Sequence, residues 1–262
     1  MKSVSVVIPS IGRKSLPNAI DSALKQTFRP EKIIVVLSTK KIVQELREKY
    51  INNPTVLFEL NLGGSASSNR NLGIRLSPSD FIAFLDDDDQ WHSNKLEKQM
   101  KWTTHQVISC KANYIGYVKG ARPAKIFKNG VLKSFYPSRV PVRRKYLLPM
   151  PTLLVDAMMA KKVLFDETLN EREDIWFLHQ LEKTGCSFVQ LDEVLTTVNT
   201  RKPMSDRSVS LAADIEWFYR LEGVEKGLGA NFFWGVALRN RAFAGDFKGL
   251  FKLIIWYSRN KG

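Results

Sequence analysis

The chain has 262 residues, of which 44% are hydrophobic and 25% charged, and this ordinary globular composition excludes wholesale disorder. Forty Lys and Arg against 26 Asp and Glu give a formal net charge of +14, which favours a partner that carries phosphate: a nucleotide, an anionic membrane or a nucleic acid. The length suits one large domain or one domain with an appendage, and two cysteines without CxxC spacing indicate neither a disulfide framework nor a zinc site.

Strands and helices are predicted to alternate over the first 105 residues. Continuous β-branched runs predict buried strands, and apolar residues at helical spacing predict helices between them. The strands are expected at 3–8, 32–37, 56–60 and 81–85, and the helices at 15–26, at 41–50, after Gly63-Gly64, and from Ser93 (as N-cap) to about 105. This order predicts an α/β fold with a mainly parallel sheet flanked by helices, in which ligands bind beyond the carboxyl ends of the strands.

The rest of the chain is less regular. Residues 118–146 carry nine Lys or Arg and no Asp or Glu, and predict an irregular segment with a hairpin at Asn129-Gly130. Further strands are expected at 152–155, 187–191 and 194–198, and helices at 157–164 and 172–183, the latter ended by Gly185. Residues 199–210 predict a mobile loop, followed by helices at 211–226, 231–244 and 246–259.

Four adjacent carboxylates follow the fourth predicted strand, in the stretch FLDDDDQW. Like charges so close together are costly unless a cation neutralises them, and Mg²⁺ or Mn²⁺ with oxygen ligands is the natural partner. Such an ion usually bridges to substrate phosphates. The motif alone is equally well explained as an acidic turn before the next helix.

The stretch NLGGSASSNRNLG stands between the third and fourth predicted strands. Its small residues let the backbone approach a ligand closely, and Arg70 is suited to pairing with a phosphate. Alternatively, the helix packs closely on the sheet and Arg70 is satisfied by the acids of the cluster. The two interpretations are compatible.

Five stretches occur in an order that resembles the family-2 glycosyltransferases of the GT-A fold: VVIPSIGR, NLGGSASSNRNLGI, FIAFLDDDDQW, FDETL and EREDIWFLHQL. The resemblance covers roughly residues 1–200. It implies a GT-A catalytic domain at 1–200, with a nucleotide-sugar-binding half (1–110) and an acceptor half (111–200). A flexible loop and C-terminal helices would follow at 201–262.

The resemblance also implies roles for individual residues. Asp86, Asp87 and Asp88 would form the DxD element, with Asp86 and Asp88 at the metal and Asp86 and Asp87 facing the nucleotide. Nucleotide contacts would also come from the residues Pro9, Ser10, Arg13 and Arg70. Asp174 resembles the family's catalytic base, and a carboxylate there suits an inverting transfer, which removes a proton from the acceptor hydroxyl. On the residues alone, an acidic first turn of a helix is the better interpretation of Glu173-Asp174, and the resemblance reverses that preference.

The implied activity is that of a metal-dependent, inverting glycosyltransferase of the hexosyltransferase type. It would move a sugar from a nucleotide diphosphate sugar, with UDP-sugars favoured, to a hydroxyl of a glycan or lipid-linked glycan. Bacterial surface polysaccharide or lipopolysaccharide synthesis is the expected setting. One departure concerns the base: the family usually has acids after the second strand, where this chain has Leu37-Ser38-Thr39. Arg201, Lys202 and Arg207, in the predicted loop, are candidates for reaching the diphosphate, although solvated surface charges are as good an interpretation.

Three alternatives remain at this stage. A nucleotidyltransferase acting on sugar phosphates shares the fold class, but IPSIGRKS lacks the glycine-rich phosphate loop. A nucleic-acid-binding protein is suggested by charge alone and is not expected, because no aromatic and basic module is evident. The missing acid after strand two also allows an inactive, glycosyltransferase-like binding module.

The C-terminal stretch FKGLFKLIIWYSRNKG mixes aromatic and basic residues and suits an anionic membrane surface, a helix packed on the core or a dimer contact. The N-terminal stretch predicts no signal peptide, and LIIWY is too short to span a bilayer. We therefore expect a cytoplasmic protein with peripheral contact at the inner face of the membrane.

Overall fold

The computed structural model describes nine parts of the chain: residues 1–116, 120–122, 127–128, 131–132, 148–169, 172–200, 211–224, 237–238 and 246–260. Several predicted features fall wholly or mostly outside these ranges. They are the irregular basic segment 118–146, the loop residues 201–210 with Arg201, Lys202 and Arg207, and the helix predicted at 231–244.

The first half alternates strands and helices as predicted. The elements are β1 (Val4–Ser10), α1 (Leu16–Leu24), β2 (Lys32–Leu37), α2 (Val43–Lys49), β3 (Val56–Leu60), α3 (Ala66–Leu76) and β4 (Phe81–Phe84). The strands pair in the order β3-β2-β1-β4, and all three pairings are parallel. The predicted α/β class and the parallel arrangement of this half are therefore confirmed.

The second half extends the same sheet with mixed directions. Its elements are β5 (Gln90–Trp91), α4 (Lys95–Met100), β6 (Val107–Gly116), β7 (Gly120–Arg122), β8 (Phe127–Lys128), β9 (Val131–Leu132), a 3-10 turn (Met150–Thr152), β10 (Leu154–Asp156), α5 (Ala157–Val163), α6 (Glu173–Lys183), β11 (Phe188–Thr200), α7 (Leu211–Val224) and α8 (Phe247–Asn260). The sheet continues from β4 through β10, β6, β11, β9 and β8, and β10 runs antiparallel to both of its neighbours. The antiparallel pairing of β8 with β9 agrees with the predicted hairpin, whose central residues lie outside the described ranges.

Three local predictions are wrong. The helix predicted from Ser93 to 105 is only Lys95–Met100, and the residue before it is Asn94, without a side-chain cap. The two strands predicted at 187–191 and 194–198 are one strand, β11, with register shifts after Gln190 and after Val194. Because β11 runs to Thr200, the first two residues of the predicted loop 199–210 belong to the sheet.

The sheet separates two apolar cores. Along β1, Val7 faces the core beneath α3, α5 and α6, while Val6 and Ile8 face the core beneath α1 and α2, as strand alternation requires. A Cβ on Gly73 would lie 2.4 Å from Val7 Cγ1, so glycine at this position lets α3 lie directly on β1. This close packing fixes the position of α3 relative to the sheet edge.

The parallel pairing of β1 with β4 brings two carboxyl ends together. Val7 of β1 lies opposite Phe84, the last residue of β4. The chain then continues into Pro9 and Ser10 on one strand and into the acid cluster after the other. The residues that the sequence assigned to nucleotide and metal binding therefore meet at one edge of the sheet.

Candidate active site

A buried arginine joins two distant parts of this edge. Arg70 lies in α3, which begins after Ser65, whose side chain accepts a hydrogen bond from the backbone N–H of Ser68. The guanidinium of Arg70 donates to Asp86 Oδ1 at 2.9 Å and to Glu173 Oε1 at 3.1 Å. Asp86 follows β4 and Glu173 opens α6, so a single side chain holds the acid cluster against the start of that helix.

Arg70 is held as a cation. Its side chain is 6% exposed and also lies over the ring of Phe165, at 5.3 Å from the centroid. Burial acts to lower the pKa of Arg70, but the charges of Asp86 and Glu173 outweigh this effect and raise the pKa. Its Nε atom is buried and has no hydrogen-bond partner among the described residues.

A second group of contacts surrounds Asp87. This carboxylate is fully buried and accepts hydrogen bonds from Ser10 Oγ, at 2.6 Å, and from the guanidinium of Arg13. Ser10 Oγ in turn accepts the backbone N–H of Gly12 at 2.9 Å. Asp87 therefore links β4 to the chain that leaves β1, and Arg13 remains one-third exposed at the surface of the site.

Asp86 and Asp88 are the partly exposed carboxylates of the cluster. Asp88 lies 4.0 Å from Arg13, and the side chains of Asp86 and Asp88 are 31% and 17% exposed. Among the described residues, no group of three or more His, Cys, Asp or Glu is arranged to hold a metal. Two carboxylates nevertheless fit Mg²⁺ or Mn²⁺, because such ions are commonly bound through one or two carboxylates, with water and substrate phosphates as the other ligands.

The fourth acid, Asp89, connects the cluster to β11. It accepts the backbone N–H of Asn199 at 2.7 Å and is 4% exposed. Burial and the charge of Asp86 raise the pKa of Asp89 to about 9, although the hydrogen bond from Asn199 opposes the shift. Sequence reasoning gave this residue no ligand role, and the structure places it inside the fold.

Asp174 stands next to Glu173 in the first turn of α6. Its carboxylate accepts the backbone N–H of Ile175 at 2.8 Å. Burial and the neighbouring charge of Glu173 raise the pKa of Asp174 to about 7, while the charge of Arg70 acts against the shift. A carboxylate with a pKa near neutrality is suited to accepting a proton.

Uncharged groups occupy the end of β2, where the sequence lacks an acid. Ser38 Oγ donates to the carbonyl of Gly64 at 2.6 Å and accepts from Asn69 Nδ2 at 2.8 Å. Asn61 Nδ2 donates to Asn69 Oδ1 at 3.0 Å. This network of uncharged hydrogen-bonding groups ties β2 to the start of α3.

The FDETL stretch is held against α3. Asn71 donates to the carbonyl of Phe165 and to Glu167 Oε1, both at 2.8 Å, and accepts the N–H of Phe165 at 2.7 Å. Phe165 stacks on Phe177 of α6, with ring centroids 4.0 Å apart. These contacts connect α3 to the helix that carries Asp174.

The family can be decided by comparison with known proteins. The model of glycosyl transferase family 2 matches residues 5–151, which is more than half of the chain. The chain belongs to glycosyltransferase family 2. The match includes both the acid cluster and Arg70, and Asp174 lies beyond its end.

Similar proteins agree with this assignment. The family-2 chain is 27% identical over 224 residues to an uncharacterized glycosyltransferase of Methanocaldococcus jannaschii, a match that covers 79% of this chain and 73% of the relative. It is 25% identical over 236 residues to the amylovoran biosynthesis glycosyltransferase AmsB of Erwinia amylovora, covering 82% and 76% of the two chains.

Solved structures show the same fold. The crystal structure of S. aureus TarS 1-349 in complex with UDP-GlcNAc superposes with a TM-score of 0.66 at 20% identity. The match covers 84% of this chain, which spans only 65% of the TarS chain. The family-2 chain therefore has the GT-A fold. Its membership of family 2 identifies it as an enzyme of the glycosyltransferase class.

The structure gathers the predicted site residues at one sheet edge. Pro9 is buried in β1 opposite Val36 of β2, and Ser10 ends that strand. Arg13 follows β1, and the acid cluster follows β4. Sequence reasoning missed the linking roles of Glu173 and Asp89, because their partners lie 103 and 110 residues away. His179, one turn beyond Asp174 in α6, is buried next to the ring of Trp176. No helix in the described ranges combines the length and apolar character that crossing a bilayer requires.

Arg70→Met is expected to lower the free energy of unfolding by about 3 kcal/mol, because it leaves two partly buried carboxylates without their cation. Urea unfolding followed by circular dichroism measures this. Lys101→Met is the matched control, since Lys101 pairs with Glu97 at the exposed surface, and little change is expected there. Equal, small effects of the two substitutions would contradict the linking role of Arg70.

Proposed function

We propose that the protein is an inverting, metal-dependent glycosyltransferase that uses a nucleotide diphosphate sugar. The observation that carries the proposal is the pair of ion pairs made by Arg70, which hold Asp86 of the acid cluster and Glu173, beside Asp174, at one site. A displacement with inversion needs one group at the leaving diphosphate and another at the attacking hydroxyl. The two ends that Arg70 joins supply carboxylates for both tasks.

Asp174 acts as the general base in this proposal. Its carboxylate takes the proton of the acceptor hydroxyl while the hydroxyl oxygen forms a bond to the anomeric carbon. The bond from that carbon to the diphosphate oxygen breaks, and its electron pair leaves with the nucleoside diphosphate. The neighbouring charge of Glu173 and partial burial keep Asp174 a stronger proton acceptor than an ordinary aspartate.

Asp86 and Asp88 would hold Mn²⁺ or Mg²⁺, which supplies Lewis-acid stabilisation of the departing diphosphate. Arg13 lies beside Asp88 and is partly exposed, so it is placed to add a positive charge near the same group. The buried carboxylate of Asp87 keeps Ser10 and Arg13 in position by accepting a hydrogen bond from each. Ser10 and Pro9 would line the nucleotide pocket where β1 ends.

The donor is proposed to be a UDP-sugar. TarS, whose fold this chain shares, was crystallised with UDP-GlcNAc. The end of β2 offers the uncharged groups of Ser38 and its network instead of a carboxylate. In this chain the base would therefore be read by neutral hydrogen-bonding groups and backbone. The acceptor is proposed to be a glycan of bacterial surface polysaccharide or lipopolysaccharide, in line with the amylovoran assignment of AmsB.

Asp174→Asn tests the assignment of the base. Release of UDP from UDP-GlcNAc, UDP-glucose and UDP-galactose in the presence of Mn²⁺, with water as acceptor, is expected to fall by about 10²- to 10⁴-fold. Because Asp174 must be ionised, kcat/KM of the unmodified enzyme is expected to rise with pH through about 7 and then to level off. Asp192→Asn, at a side chain that is 92% exposed, is the control and is expected to keep full activity.

Full turnover by Asp174→Asn would show that the base lies elsewhere. Absence of metal-dependent release from every sugar nucleotide by the unmodified enzyme would favour an inactive binding module instead.

The protein is proposed to reach its acceptor at a membrane surface, which it would contact through helix α8. Leu253 and Tyr257 of α8 are buried, and Trp256 and Tyr257 contact Phe218 of α7 with ring centroids 5.2 and 5.8 Å apart. One face of the helix therefore packs on the rest of the protein, which is one of the three interpretations that the sequence allowed.

A second face of α8 is apolar and exposed. Phe247, Phe251 and Ile254 are 70%, 66% and 41% exposed, and their spacing of four and three residues places them on one stripe. Lys248 and Lys252, also exposed, lie along one side of that stripe. An apolar stripe flanked by cations is complementary to an anionic lipid surface, and this positively charged chain would be drawn to it.

Vesicle binding tests this surface. The unmodified protein is expected to sediment with phosphatidylcholine vesicles that contain phosphatidylglycerol, because each lysine near an anionic lipid surface contributes about 1 kcal/mol. Phe247→Ser/Phe251→Ser and Lys248→Glu/Lys252→Glu are each expected to lower the partition coefficient at least about tenfold. Ile51→Ser, at a 76% exposed apolar residue after α2, is the control.

Equal binding by all variants, or no binding by the unmodified protein, would overturn the membrane surface. A concentration-dependent dimer that Phe251→Ser abolishes would instead identify the stripe as a contact between two copies.

A further inference from the structure

We propose that a buried ion pair between Arg172 and Asp214 positions the catalytic base, so that helix α7 is part of the catalytic apparatus. This inference rests on the proposed role of Asp174. It concerns residues beyond the family match, which ends at residue 151.

The pair is buried and well formed. Arg172 Nη2 lies 2.8 Å from Asp214 Oδ1, and the two side chains are 9% and 3% exposed. Asp214 belongs to the first turn of α7, and Arg172 immediately precedes Glu173 and Asp174. Because a buried charge-assisted hydrogen bond has a narrow preferred geometry, it fixes where the backbone of Arg172 lies.

The backbone at Arg172 needs such support. Its φ of 63° lies in the left-handed region, which is unfavourable for arginine and is maintained only when surrounding contacts impose it. The carbonyl of Arg172 also accepts the N–H of Trp176, so this residue sets the first turn of α6. A change in its conformation would therefore move Glu173 and Asp174 directly.

Helix α7 is a rigid support for the pair. Trp217 and Leu221 are buried in the core that α6 shares, and the rings of Trp217 and Trp176 meet edge to face at 5.8 Å. The guanidinium of Arg172 also lies over the ring of Trp217, at 5.8 Å from the centroid. Helix α7 thus contacts the start of α6 at two points, through the ion pair of Arg172 and through the ring of Trp176.

The same helix offers a matched control. Arg220 of α7 pairs with Asp166 and with Glu216, donates to Thr168, and lies over the ring of Trp176. It attaches α7 to the rest of the fold without contacting Arg172 in any of these interactions. If the ion pairs of α7 served only to attach the helix, loss of Arg220 and loss of Arg172 would have similar effects.

The test compares Arg172→Asn, Asp214→Asn, the double variant and Arg220→Gln. Asparagine tolerates the left-handed conformation, so Arg172→Asn removes the ion pair without adding backbone strain. The readouts are kcat and KM for metal-dependent UDP release from the best donor, together with the pH dependence of kcat/KM.

We expect Arg172→Asn and Asp214→Asn to lower kcat by about 10- to 100-fold with donor KM nearly unchanged, because small misplacements of a catalytic group have effects of this size. The double variant should be no worse than the more affected single variant, since both remove the same interaction. The acid limb of the profile should move to lower pH, because a released Asp174 regains water. Arg220→Gln should change neither kcat nor the acid limb.

Two results would overturn the inference. In one, Arg172→Asn retains full kcat while Asp174→Asn is inactive. Asp174 would then still be the base, but contacts other than the Arg172–Asp214 pair would position it. In the other, Arg220→Gln reproduces the loss of kcat and the shift of the acid limb, which reduces the pair to attachment of the helix. Activity in Asp174→Asn would instead refute the assignment of the base itself. Circular dichroism and thermal unfolding of each variant separate these results from loss of the fold.

Discussion

The arrangement of the site depends on one buried cation between two carboxylates. Arg70 can reach Asp86 and Glu173 only because α3 lies directly on β1, and that approach requires the missing side chain of Gly73. Removing a guanidinium from water is costly, and the two carboxylates offset the cost only if both are present. Packing of a helix on a strand therefore determines the separation between the acid cluster and the start of α6, the two ends to which the proposed mechanism assigns the leaving group and the base.

The four adjacent acids divide into two kinds by burial. Asp87 and Asp89 are buried and satisfied by protein donors, one from the end of β1 and the other from the end of β11. Asp86 and Asp88 keep exposed oxygens toward the edge of the sheet. The buried pair links three strands around the cluster, and the partly exposed pair is the one proposed to bind a cation. Four adjacent acids are thus tolerated, because two of them are stabilised inside the fold by hydrogen bonds from protein donors.

Sequence patterns predicted those parts of the fold that local physics controls. The strand at 32–37 was placed correctly because a continuous β-branched run has few other uses. Strand β11 was divided in two because Asp192-Glu193 has the polarity of a turn, whereas in the structure this pair lies within the strand, at the first register shift, between Gln190 and Val194. The pairing of Arg172 with Asp214 left no local signal, since its two halves lie 42 residues apart and each is an ordinary charged residue of a helix end. Local patterns thus predicted which residues lie at the edge of the sheet. The ion pairs between residues distant in sequence required the three-dimensional structure.

The partly exposed acids, Asp86 and Asp88, are proposed to bind a metal together with a nucleoside diphosphate. The most direct measurement is thermal unfolding with UDP, GDP, CDP, ADP or dTDP, each with and without Mn²⁺, for the unmodified protein and for Asp88→Asn. We predict that the melting temperature rises only when nucleotide and metal are both present, most with UDP, and that Asp88→Asn abolishes the rise. No rise with any nucleotide in the presence of Mn²⁺, or an equal rise in Asp88→Asn, would contradict the account.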